Sequence, residues 1–226
     1  ESARSGMNAR LEAVGADAAH FLGTHEALLL DGIGLPEVAL SFAGRTVLVV
    51  GPGERAAAQA RAQRPWARAE HPLVVAAQDG AQGALAAGLR PDLVVGQLPD
   101  PDHKALARAE HVPEEAIPPG LSATDLAVVL ATDGDAELVV LTGSPASFDE
   151  MLDRERSAAA ALLAVRLRGG ERVVDAPAAL ALQKPPIGLF PVLALLAGGI
   201  AALAAALAAV PGGHEMVQRL RDALPW

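Results

Sequence analysis

The chain has 226 residues, 51% of them hydrophobic, 20% charged and 3% aromatic, with no Tyr and no Cys. A net charge of -9, a pI near 5.1 and only two Trp and four Phe exclude the basic stripe and stacking platforms of a nucleic-acid binder. The absence of Cys excludes disulfides, thiol catalysis and thiolate zinc sites. Neither His20 and His25 nor His103 and His111 have the i,i+3 or i,i+4 spacing that sets two imidazoles on one helix face, so metal held by His is not expected.

The length suits one α/β unit with appendages. Residues 1–44 read as an opening helix over 1–23 and a connector broken by Gly32, Gly34 and Pro36. From Arg45 the pattern alternates strand and helix. Short apolar runs at Thr46–Val50, Leu73–Ala77, Leu93–Val95 and Leu138–Leu141 predict strands, with a further one near Arg172–Val174. Helices are expected near 54–64, 80–88, 103–110, 123–132 and 147–168. Strands apolar on both faces imply an α/β domain over 45–184, its mainly parallel sheet flanked by helices. Ser122-Ala-Thr-Asp125 and Ser147-Phe-Asp-Glu150 have the form of capping boxes, and Glu150–Arg154 that of an i,i+4 surface pair.

Between Lys184 and Glu215 lie 30 residues without a formal charge. Residues 185–211 are read as one transmembrane helix, because 24 nearly uninterrupted apolar residues span roughly 36 Å against a hydrocarbon core of about 30 Å. Residues 212–226 form a short tail. Arg166, Arg168, Arg172 and Lys184 precede the span and Arg219 and Arg221 follow it, a bias that favours a cytoplasmic α/β domain and a single-pass protein of the cell membrane. Residue 1 is Glu and 1–10 carries no apolar segment, so an upstream part is expected and no targeting signal is read here. Gly198-Gly199 and the many Ala residues of the span would let helices approach closely, as in a homodimer.

Two places invite chemistry. Gly51-Pro52-Gly53-Glu54-Arg55-Ala56 runs from a strand into a helix as G-x-G-x-x-A, with Asp79 as a possible ribose ligand. Pro52 removes an amide that a pyrophosphate would use, and the gap to Asp79 is long, so the segment is read as a glycine-rich turn. The second place is a set of acids at strand ends: Asp79, Asp92, Asp100, Asp102 and, beside Thr124, Asp125. Converging carboxylates could hold Mg²⁺ against nucleotide phosphates. Acids in turns also cap and solvate, and Asp125 is accounted for by its capping box.

Gln78-Asp-Gly-Ala…Leu85…Gly88-x-x-Pro91-Asp-Leu-Val-Val-Gly96, followed by Thr124-Asp125, resembles the nucleotide-binding half of thiamine pyrophosphokinases. The agreement is closer with SteA-like proteins, actinobacterial membrane-anchored relatives of that fold. It rests on Gly143…Glu150-Met-Leu-Asp-Arg-Glu-Arg156, then Arg166-Leu-Arg-Gly-Gly170…Val174-Asp-Ala176, then the span, and it runs from about His25 to Val210. The resemblance implies a thiamine pyrophosphokinase-like α/β domain. It also implies a vestigial nucleotide cleft at Asp79, Gly80, Asp92, Gly96, Thr124, Asp125 and Gly143, holding ATP or another nucleotide weakly. Where the pyrophosphokinase pattern has Gly-Asp-x-Asp-Ser, this chain has Gly96-Gln97-Leu98-Pro99-Asp100, so both central metal-binding aspartates are replaced. Asp79 and Asp125 are the only retained metal candidates, and no metal is expected. The expectation is therefore a non-catalytic, membrane-anchored SteA-like protein. It would act in bacterial cell division or cell separation through a membrane partner of the SteB or copper-transporter-like type. The competing expectation is a nucleotide-dependent pyrophosphotransferase acting on thiamine; an NAD-binding module, resting on Gly51 and Gly53 alone, is weaker than either.

Overall fold

A computed structural model describes residues 2–99, 103–145, 147, 150–151, 156–183 and 189–209. Two compact units divide the chain, Glu1–Gln183 and Lys184–Trp226.

The first unit is built on a six-stranded sheet, all parallel, in the order β4-β3-β2-β1-β5-β6. Its strands are β1 (Thr46–Val50), β2 (Leu73–Ala77), β3 (Leu93–Val95), β4 (Glu110–Val112), β5 (Leu138–Leu141) and β6 (Val173–Asp175). The helices of this unit include α1 (Ser2–Thr24), α2 (Glu26–Asp31), α3 (Gly53–Glu70), α4 (Gly80–Ala86), α5 (Ala123–Asp133), α6 (Arg156–Gly169) and α7 (Ala176–Leu182). The four strands expected between 46 and 141 coincide with β1, β2, β3 and β5. Their side chains alternate between two buried faces, as the two-residue strand period requires. Val47 and Val49 face α5 and α2, whereas Leu48 and Val50 face the alanines of α3, α4 and α7.

Two helix expectations are corrected. Residues 103–110 are not a helix: 104–108 form a turn and 110–112 become the edge strand β4. A helix of two turns is marginal without packing. Here the His103 ring accepts from the Ala105 amide at 3.2 Å, and β4 gains a ladder along β3 that the Gly96 amide extends to the Val112 carbonyl at 2.8 Å. The helix expected over 54–64 runs on through the exposed Pro65 to Glu70, and His71, at φ 51°, closes it by donating to the Ala67 carbonyl. The helix expected near 147–168 is helical at residues 150 and 151 and, as α6, from Arg156. Residues 152–155 lie outside the described residues, and with them Arg154 and the expected Glu150–Arg154 pair; Glu150 is ion-paired with Arg55 on α3.

The second unit contributes α8 (Leu189–Ala209), 21 residues without a charged side chain. Among the described residues no helix is long and apolar enough to cross a membrane. Residues 185–188, 210 and 211 of the expected span and the whole tail lie outside the described residues.

Candidate functional site

Strand β1 has β2 on one side and β5 on the other, so the chain reverses its direction of travel across the sheet between β1 and β5. In open α/β sheets that switch point, beyond the carboxyl ends of the strands, is where a crevice opens. A cleft of about 180 Å³ lies there, between Gly51-Pro52 after β1, Thr142–Pro145 after β5, and the start of α5. A larger, open depression of about 520 Å³ lies at the opposite, amino edge, bounded by Gly44, Asp135–Glu137, Glu171 and Arg172. It is a shallow hollow of loop backbone and exposed charge, and the enclosed cleft is the better candidate.

Close backbone approach shapes the cleft. A Cβ on Gly51 would stand 2.9 Å from the Thr142 carbonyl oxygen, and one on Gly80 would stand 2.2 Å from that of Val50. Gly143, at φ 80°, turns the chain after β5, and a Cβ there would be 3.0 Å from that of Ala56. The G-x-G-x-x-A segment thus has a packing reason for its first glycine and its alanine.

The hydrogen bonds around the mouth are mostly internal. The Gly51 amide donates to the Thr142 hydroxyl at 3.2 Å and the Gly143 amide to the Gln59 carboxamide at 2.7 Å. At the start of α5 a complete capping box forms. The Asp125 amide donates to Ser122 Oγ at 3.1 Å, while the Ser122 hydroxyl and amide donate to Asp125 Oδ2 at 2.6 and 3.2 Å. Ser144, buried beside Thr142, accepts from Arg166 at 2.7 Å, and Arg166 is also paired with Asp175. The second expected box is seen through one bond, from the Glu150 amide to Ser147 Oγ at 3.2 Å.

The predicted site residues scatter. Thr124, Asp125 and Gly143 line the cleft. Gly80 lies behind it, where α4 meets the end of β1. Gly96, at φ 89°, follows β3 and leaves room for Gln78, whose Cγ is 3.0 Å from the place a Cβ would take. Asp79 is exposed and is not part of the cleft wall. Asp92 is a correction: it precedes β3, at the amino edge of the sheet, where its carboxylate accepts from the Val74 amide at 2.8 Å. A residue before a parallel strand cannot meet residues after one, so Asp92 has no place in this cleft. Asp100 and Asp102 lie outside the described residues. Among the described residues no group of three or more His, Asp or Glu is placed to hold a metal ion.

The cleft also has neutral walls that were not among the expected site residues: Gln78, Ser122, Thr142 and Ser144. The signal available for them was position alone, each being a polar residue just beyond a strand or before a helix. Compared with protein-family models and with curated proteins, the chain matches none.

Proposed function

We propose that this chain is a non-catalytic, membrane-tethered SteA-like protein that acts in bacterial cell division or cell separation through protein partners. In this reading the α/β unit faces the cytoplasm, and the partner is a membrane protein of the SteB or copper-transporter-like type. The observation that carries the non-catalytic part is the fate of the carboxylates. Asp125 is spent on a helix cap, Asp92 belongs to the far edge of the sheet, and Gln97 and Pro99 stand where the pyrophosphokinase pattern has its central aspartates. Mg²⁺ bridging of phosphates needs carboxylates beside the nucleotide. Tethering is supported by the sequence alone, through the uncharged run from 185 to 214.

Both parts are open to measurement on the full chain. In detergent micelles with ATP, thiamine and Mg²⁺ it should form no thiamine diphosphate and release no AMP. Turnover at about 1 s⁻¹ or faster would make it a transferase. In cells, a reporter fused after Trp226 should score extracytoplasmic. A cytoplasmic score, or a full-length protein that stays in solution without detergent, would overturn the tethered reading.

A further inference from the structure

We infer that the outer face of the helix layer formed by α3, α4 and α7 is a docking surface for an anionic lipid bilayer. The inference rests on the tethered reading, which supplies the bilayer. It adds an orientation of the α/β unit that tethering alone does not require.

The charge pattern comes first. The chain carries a net charge of -9, yet between Glu54 and Glu70 α3 has four arginines and no acid. Arg55 is ion-paired with Glu150. The other three, Arg61, Arg64 and Arg68, follow at spacings of three and four residues, which sets them along one side of the helix. Arg61 and Arg68 are exposed, together with Ala62, Pro65 and Ala69 around them. Among the described residues none of these three arginines has an ion-pair or hydrogen-bond partner. Arg64 is the most constrained. Its Nε is buried without an acceptor, and its guanidinium lies against Gly88, just past α4, where a Cβ would stand 2.9 Å from Cζ. A guanidinium with donors to spare suits phosphate, whose oxygens its planar fork can engage two at a time.

The course of the chain then brings this stripe to the lipid. Helix α3 packs against both α4 and α7. Buried Gln63, between Ala62 and Arg64, donates to the Ala176 carbonyl at the start of α7 and accepts from the Gln183 carboxamide at its end, at 2.6 and 2.7 Å. Gln183 closes the first unit, and the uncharged run begins two residues later, at 185. Two extended residues cover at most about 7 Å. In the tethered reading the point where the chain meets the bilayer is therefore held beside the middle of α3, within one helical turn of Arg61 and Arg64. Leu180 and Leu182 of α7 are 42% and 80% exposed there. Apolar side chains beside basic ones characterise surfaces that rest in a bilayer interface, and anionic lipids attract the basic ones. An acidic protein would also match the arginines, but lipid is the anion that the chain itself keeps within reach.

The test uses the full chain reconstituted into two kinds of vesicle, phosphatidylcholine alone and phosphatidylcholine with about 30% phosphatidylglycerol. Because the chain has no cysteine, Ala62→Cys or Ala16→Cys places one fluorophore on α3 or on α1, which lies over the opposite face of the sheet. Lipids with a quencher in the headgroup region should quench the label at 62 and spare the label at 16, and only in the anionic vesicles. Each basic side chain near an anionic surface favours docking about fivefold, so replacing Arg61, Arg64 and Arg68 together by Gln should lower the docked-to-undocked ratio about a hundredfold. Quenching at 62 should then fall to the level at 16, with an unchanged circular dichroism spectrum, whereas replacing the same three by Lys should preserve it. Raising the salt from about 0.1 M to about 1 M, which shortens the screening length from about 10 Å to about 3 Å, should lower it likewise. Flotation with the uncharged vesicles reads the tether by itself. A chain left behind there has no tether, and selective quenching at 62 on anionic vesicles would then show the face docking unaided. Equal quenching at the two positions, or quenching at 62 that survives the Gln replacements, would overturn the inference. So would its absence from a chain that floats with both vesicles, which would make the arginines a site for an acidic protein.

Discussion

The face of the sheet covered by α5 and α6 is filled by Leu, Val and Phe, including Leu29, Phe42, Leu126 and Val129. The opposite face, under α3, α4 and α7, is closed largely by alanine: Ala60, Ala67, Ala84, Ala87, Ala176 and Ala179. Large side chains hold a helix away from the strands and contribute through the area they bury. Alanines contribute little area each but let helix and strand backbones approach closely. The two faces should therefore fail in opposite ways, one by losing atoms and the other by gaining them.

The filled face gives the largest expected effect. Leu126, on α5, is fully buried at the centre of its cluster. Leu126→Ala should destabilise the chain by about 3 kcal/mol, the transfer loss and the residual cavity adding. Urea unfolding followed by circular dichroism measures it. A loss under about 1 kcal/mol would mean that this face collapses around the void and is not tightly packed.

The close-packed face inverts an ordinary rule. Gly→Ala inside a helix usually stabilises by up to about 1 kcal/mol. At Gly80 the new Cβ would stand 2.2 Å from the Val50 carbonyl oxygen and 2.7 Å from that of Gly51, both backbone atoms that cannot swing aside. Gly80→Ala should thus destabilise by about 2 kcal/mol, and it should also distort the turn that floors the cleft. If the same unfolding measurement shows a gain, α4 does not sit this close to β1.

The same contrast explains how much could be read in advance. The four inner strands were legible because each is a run of β-branched and aliphatic residues buried on both sides. Of the two edge strands, β6 was expected near Arg172–Val174 and is found at Val173–Asp175, whereas β4 was missed. Glu110-His-Val112 has one buried side chain of three, and it becomes a strand only because β3 offers it a ladder. The capping box at Ser122 was legible because it is local, three residues apart. The cleft was legible only in part: Thr124, Asp125 and Gly143 carried motif signals, whereas Thr142 and Ser144 matter through neighbours up to 91 residues away. Asp92 failed for a related reason. A motif orders residues along the chain, but the direction of a parallel strand decides at which edge of the sheet each one lies.

The smallest effects separate two arginines near the end of α6, one serving the packed side and one serving solvent. Arg168 has a side chain only 13% exposed. Its guanidinium donates to the Leu29 carbonyl of α2, to the Thr132 hydroxyl and, at 2.8 Å, to Asp133 at the end of α5. It therefore ties three helices over the filled face. Arg172 donates to Asp135 at 2.8 Å, but the two side chains are 47% and 75% exposed. Removing Arg168 leaves a buried carbonyl and a hydroxyl with a lost partner, so Arg168→Ala should destabilise by about 1.5 kcal/mol. Arg172→Ala breaks a pair that water and salt already screen, and should stay within about 0.5 kcal/mol of the native chain. Arg168→Lys should recover less than half of the loss, since an ammonium cannot reach three acceptors laid out for a planar fork. Equal losses for the two alanine variants, or full recovery by Lys, would show that charge rather than geometry holds this corner together.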